Sequence, residues 1–290
     1  MKRWKKGLLA GMLVLALAGC GGATEEAGEM VADEAMKYVK QAQEMLEQAD
    51  GFAADFRGEV LMQDADNSVT EGSVLLVKEP LYMKVDMEMS YDGVEQDYEM
   101  FLEETADGVN QYMSYDGEWT EMTLKKDAAL TGAQIYHTLH NLEAIFSAAE
   151  GWTLEKDGSE LVLQGVIPKE GFYAVESATR WFQLAGMSGL AEQYYAEIGD
   201  VPVKVVLDGK TGAPLSYEVD LAQPLEKMIH SVLAELNGGE LEEEVEVEKY
   251  IITSAITQLG GVKAEEIPLE AKSAAINYEK EISLLAMAAE

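Results

Sequence analysis

Of the 290 residues only one, Cys20, is a cysteine, and only three are histidines. A single thiol excludes an intrachain disulfide, so stability has to come from a packed core. His137 and His140 form the only histidine pair, and an i, i+3 spacing on a helix could bring them together. Without an obvious third ligand they read as two polar-face residues rather than a metal centre, and neither metal nor cofactor is expected. Basic residues are also scarce, with 21 Lys and Arg against 54 Asp and Glu, a net charge of −33. Such a chain repels nucleic acid and anionic lipid surfaces. Enzyme signatures are missing too: there is no phosphate-binding loop, dinucleotide fingerprint, nucleophile elbow or HExxH helix. Paired carboxylates say nothing in so acidic a chain, and the expectation is a protein without enzymatic activity.

The one strongly apolar run lies at the N-terminus. Lys2, Arg3, Lys5 and Lys6 precede an apolar stretch from Gly7 to Gly19, which is shorter than the roughly 20 residues a spanning helix needs. It ends in Leu17-Ala18-Gly19-Cys20. This resembles the lipobox of bacterial lipoproteins, which implies cleavage between Gly19 and Cys20 and a diacylglyceryl thioether on Cys20. Two acyl chains suffice for stable membrane attachment. Residues 1–19 are then a signal peptide, and residues 20–28, small and acidic, a flexible tether. Losing residues 1–19 removes four basic residues and no acidic ones, which takes the net charge from −33 to −37. The expected location is extracytoplasmic, on the outer face of the bacterial cytoplasmic membrane, with a Gram-positive envelope favoured.

What remains is long enough for one large core. A helix is predicted over Gly28 to Ala49, with Ala32, Ala35, Met36, Val39, Ala42, Leu46 and Ala49 on its apolar stripe. The period then changes to two, and six strands follow in succession: 52–63, 69–78, 81–91, 94–104, 109–115 and 118–124. The pairs Asp92-Gly93, Asp107-Gly108 and Asp116-Gly117 mark tight hairpin turns between them. In the third strand Leu81, Met83, Val85, Met87, Met89 and Tyr91 share one face, and Tyr82, Lys84, Asp86, Glu88 and Ser90 share the other, which predicts a greasy side and a wet side. A single helix is expected over 128–149, strands at 152–156 and 160–167, and a Gly-interrupted helical segment over 174–198. Strands at 201–207 and 214–221, a helix opening near Pro224, a last strand at 247–258 and a helical tail over 270–290 complete the chain. No domain boundary is visible. The count is about eleven hairpin-connected strands with helices between groups, an α+β fold in which a curved antiparallel sheet, a half-barrel, carries helices on its concave face.

Four segments carry a resemblance: the lipobox; Pro80 to Met89; Tyr112-Met113-Ser114-Tyr115-Asp116-Gly117-Glu118-Trp119; and the hairpin Asp208-Gly209-Lys210-Thr211-Gly212-Ala213-Pro214-Leu215. Together they are similar to the LolA-like superfamily, which includes LppX-like lipid-binding lipoproteins, and most of all to its uncharacterised Gram-positive lipoproteins, known only as a domain of unknown function. The resemblance spans about 29–269 and implies a half-barrel of about eleven strands partly plugged by helices. None of these motifs is catalytic, so the fold transfers more readily than a function.

Within that frame Met83, Val85, Met87, Met89 and Met100, facing Trp181 or Phe182, are the expected lining of a site for a lipid or other hydrophobic molecule, because Met-rich walls adapt to ligand shape. A Cu(I) site on the same thioethers and a plain filled core are the competing readings. The acidic run Glu240, Glu242, Glu243, Glu244 and Glu246 lacks EF-hand spacing and reads as a solvated loop. The function expected first is a membrane-anchored binder or carrier of a hydrophobic ligand. The alternative is an envelope interaction or sensor module that docks a partner on its acidic surface, with no protein partner identifiable.

Overall fold

The computed structural model describes residues 24–63, 67–187, 189–238, 245–274 and 276–277. The lipobox, Cys20 and most of the acidic run lie outside them. The elements are α1 (Thr24–Gln48), β1 (Gly51–Met62), β2 (Ser68–Val77), β3 (Tyr82–Tyr91), β4 (Val94–Thr105), β5 (Gly108–Tyr115), β6 (Glu118–Leu124), α2 (Lys126–Gly132), α3 (Thr138–Ala148), β7 (Glu150–Asp157), β8 (Glu160–Ile167), α4 (Lys169–Thr179), β9 (Val201–Asp208), β10 (Pro214–Asp220), α5 (Ala222–Leu236), β11 (Val247–Leu259), α6 (Leu269–Ala274) and β12 (Ile276–Asn277). Eleven antiparallel strands form one curved, unclosed sheet, and the two-residue β12 adds in parallel to β6. The fold is the α+β half-barrel, with α1 to α5 on the concave side.

The hairpins follow from local chemistry. Asp92 and Gly93 at φ 47° and 77°, and Asp116 and Gly117 at φ 50° and 86°, supply the two positive φ values of a tight hairpin whose twist matches its strands. The sheet order is β12-β6-β5-β4-β3-β2-β1-β11-β10-β9-β8-β7, two meanders joined by β1 against β11. The first meander therefore ends at one edge of the sheet and the second begins at the other. The chain between β6 and β7 has to cross the whole concave face.

That crossing explains a departure from the predicted single helix. Over 126–148 the structure has α2, a 3-10 turn at Gln134–Tyr136 and α3. Its residues meet the strands in sheet order: α2 packs on β5, Tyr136 and His137 lie against Phe56 and Phe52 of β1, Thr138 bonds Ser254 of β11 at 2.8 Å, Asn141 bonds Tyr217 of β10 at 3.1 Å, and Phe146 meets Trp152 of β7. A straight helix would leave a curved surface part-way, and the break after Gly132 lets the segment follow it. His137 caps α3, its Nδ1 accepting the His140 N–H at 3.1 Å.

The wet side of the sheet is only partly wet. Tyr82, Phe101, Tyr112 and Trp119 point away from the main core and are buried under Ile267 and Ala271, with Leu75 and Val77 alongside. The expectation that Tyr82 meets water is thus corrected: the segment after β11 runs over the outer face, held by ion pairs of Lys84 with Glu265 and Lys272 with Glu103. The N-terminal helix also reaches further than its predicted start at Gly28, beginning at Thr24, in keeping with the helix-forming residues Glu25, Glu26 and Ala27. At the other end, helix stops at Ala274 and residues 276–277 are strand; the rest of the expected tail lies outside the described residues.

Candidate functional site

The Met-rich strand points inward as its alternation requires. Met83, Val85, Met87 and Met100 are all buried, and Met89 is half-buried at the end of the same face. Their neighbours are strand neighbours: Met83 pairs with Leu102 and Leu76, Val85 with Met100 and Val74, Met87 with Tyr98. Met100 Sδ accepts a hydrogen bond from Gln111 at 3.2 Å. Trp181 and Phe182 are buried as well, but their rings pack with Phe172, Tyr195 and Tyr250, and the Tyr250 hydroxyl bonds the Trp181 carbonyl. Tyr250 belongs to β11, which is three strands from β3, about 14 Å at the usual strand spacing. The two groups occupy different parts of one continuous core, and the clefts described below are lined by neither. His137 and His140 are 5.8 Å apart between ring centroids, with His137 Nδ1 used as the helix cap. Burial holds the His137 ring well below the ordinary imidazole range, at about 4, so it stays neutral. Among the described residues no three His, Cys, Asp or Glu side chains gather as a metal site.

The part of the concave cover that carries Trp181 and Phe182 differs from the rest. Between β8 and β9 the chain forms α4 and then two 3-10 turns, Trp181–Ala185 and Glu192–Tyr195. Helix α4 stops because Arg180 takes a left-handed conformation at φ 56°, and Gly186 closes the next turn at φ 73°. On its inner side this cover carries an aromatic cluster, Phe172, Trp181, Phe182 and Tyr195, with Phe182 stacked on Tyr195 at 6.0 Å and on Tyr250 of the sheet at 6.1 Å. The Tyr250 hydroxyl donates to the Trp181 carbonyl. Leu184 rests against the backbone of β1 at Gly58, where a Cβ would lie 3.7 Å from the Leu184 Cβ.

The cover opens to solvent through two adjoining clefts that share Tyr173 and Tyr195, whose rings are 5.2 Å apart. One, of about 370 Å³, is lined by Tyr173, Glu176, Ser177, Arg180, Leu190 and Tyr195. The other, of about 530 Å³, has Lys169, Glu170 and Glu192 among its walls. Glu176 is the unusual member, a carboxyl only 6 % exposed. Its Oε1 accepts the Phe182 N–H at 3.1 Å, and its Oε2 is buried without a hydrogen-bond partner among the described residues. Burial pushes its pKa up to about 8, against the lowering effect of the facing backbone N–H groups and of the Arg180 charge. It is therefore mostly a neutral carboxylic acid at pH 7. Sequence reasoning reached Trp181 and Phe182 but not Glu176 or Arg180, since nothing local marks one carboxylate among 54 acidic residues.

No protein-family model matches the chain, and no curated protein does. Among solved structures, LprF from Mycobacterium bovis is similar over 81 % of this chain and 97 % of its own, at 10 % identity and a TM-score of 0.45. A LolA superfamily protein, NE2245 from Nitrosomonas europaea, is similar over 81 % of this chain and 96 % of its own, at 10 % identity and a TM-score of 0.22. Neither likeness carries a site or an activity across. Among the described residues no helix is long and apolar enough to cross a membrane.

Proposed function

We propose that the chain is a non-enzymatic lipoprotein, held by acyl chains on Cys20 at the outer face of the cytoplasmic membrane, that takes up a hydrophobic molecule between its sheet and the cover 168–200. The observation that carries this reading is the kind of structure that holds the aromatic side chains down. Trp181, Phe182 and Tyr195 are carried on two 3-10 turns, short structure of the kind that opens at low free energy, rather than on a long helix. The second turn leans on α5 as well as on α4, so it can move with the helices and leave the sheet intact.

Magnitudes limit the ligand. Exposing three large apolar side chains costs about 1.5–3 kcal/mol each, so lifting Trp181, Phe182 and Tyr195 costs roughly 5–9 kcal/mol. Each buried methylene returns about 0.8 kcal/mol, and a chain of about a dozen carbons offsets the opening. Short-chain molecules would leave the cover shut. The buried Met83, Val85, Met87 and Met100 then provide a deformable wall that an inserted chain reaches by displacing side chains rather than by filling a standing cavity.

Native mass spectrometry of the protein purified without detergent exchange tests this. A long-chain molecule should accompany the folded protein and leave on unfolding. A bare protein mass, with no uptake when C12 to C18 amphiphiles are added, overturns the reading.

A further inference from the structure

The cleft at the end of α4 offers more than an entrance. In a chain of net charge −33 its chemistry is inverted: its acidic residue is mostly uncharged and its basic residue, Arg180, has no ion-pair partner among the described residues. The adjoining cleft has the ordinary sign, with Lys169 outnumbered by Glu170 and Glu192. An anion entering from solvent is therefore favoured at the Arg180 end and opposed at the other.

The Glu176 carboxyl is oriented for donation. Oε1 faces the Phe182 N–H and acts as the acceptor oxygen, which leaves the proton of the acid on Oε2. Oε2 has no acceptor among the described residues, and a buried donor without one is unfavourable by about 1–3 kcal/mol. A ligand oxygen in the cleft would satisfy it. One cation and one neutral acid suit a head with a single negative charge and two oxygens, since the second charge of a phosphate monoester would go unmatched.

We propose that this cleft binds the carboxylate head of a long-chain fatty acid, with Arg180 as its counter-ion and the Glu176 acid as hydrogen-bond donor, while the chain enters the core past Tyr195. The inference rests on the reading that the cover 168–200 admits an apolar chain. It adds the head group, and with it a pH dependence. The titratable groups around Glu176 are Arg180 after the same helix, Tyr173 on that helix, Tyr195 on the second 3-10 turn and Tyr250 on β11; burial holds the hydroxyls of Tyr195 and Tyr250 well above their ordinary value. Above about pH 8 Glu176 ionises and repels the bound carboxylate.

The test follows Trp fluorescence of the mature protein on addition of palmitate or of hexadecanol, at pH 7 and pH 9.5. Arg180→Gly removes the guanidinium and places glycine where φ is positive, so the backbone tolerates it. It should weaken palmitate about tenfold, an effect of about 1.4 kcal/mol, and leave hexadecanol unchanged, while Arg180→Lys keeps most palmitate binding. Raising the pH should weaken palmitate about tenfold in the unaltered protein and not in Glu176→Gln. If Arg180→Gly affects both probes alike or neither, or if Glu176→Gln keeps the pH dependence, the head-group assignment is wrong while uptake of an apolar chain stands. If neither probe binds the unaltered protein at either pH, uptake itself fails.

Discussion

At the scale of single residues, Glu176 shows how burial turns an abundant side chain into a rare one. The chain has 54 acidic residues and no local signal separates this one; its environment comes from a 3-10 turn that folds Phe182 back onto it. Tyr82 teaches the converse. Its place on the polar register of β3 was legible, yet a segment some 180 residues later buries it. Glu176 also makes stability depend on pH. In the unfolded chain it titrates near 4.5, in the folded one near 8, so between these values the native state holds the extra proton. Stability contributed by this group is therefore full below about pH 4.5 and lost as pH rises to about 8. Thermal melts across pH 5 to 9 should show Glu176→Gln losing less stability than the unaltered protein as pH increases. His137 acts in the opposite sense, its depressed value removing stability as pH falls from 6.5 towards 4, and the difference between the two proteins isolates Glu176 from it. Parallel curves would mean that Glu176 is ionised and solvated.

At the scale of elements, hairpins were legible and crossings were not. All eleven antiparallel strands are found within a few residues of their predicted limits, because period-two alternation and Asp-Gly turns are local signals. The pairing of β1 with β11 and the edge-to-edge path of 125–149 depend on contacts between distant residues, so the apolar stripe over 128–149 gave a helix where the sheet demands a bent strap. Asn141 fixes that strap: its Nδ2 donates to the Ile135 carbonyl at 3.2 Å and to the Tyr217 hydroxyl at 3.1 Å. Asn141→Leu keeps the volume and leaves both acceptors buried without this donor. It should lower stability by about 1–3 kcal/mol in urea unfolding, and a neutral result would show that the strap is placed by apolar packing alone.

At the scale of the whole molecule, one sheet serves both termini of the described chain, which is why no domain boundary showed in the sequence. The net charge of −33, or −37 after loss of residues 1–19, works against so compact a body through self-repulsion. Added salt screens it, so the melting temperature should rise between about 10 and 150 mM NaCl, over which the Debye length falls from about 30 to 8 Å. A flat or falling response would show that the carboxylates are locally compensated.

The central claim, that the cover lifts from the sheet to admit an apolar chain, can be tested with one covalent lock. A Cβ at Gly58 lies 3.7 Å from that of Leu184, within the range a disulfide spans, and Cys20 is the sole natural cysteine. In a Gly58→Cys/Leu184→Cys protein, uptake of a fluorescent C16 amphiphile should be blocked when oxidised and restored by reductant. Equal uptake in the two states would contradict the account, because the chain would then be bound without the cover moving.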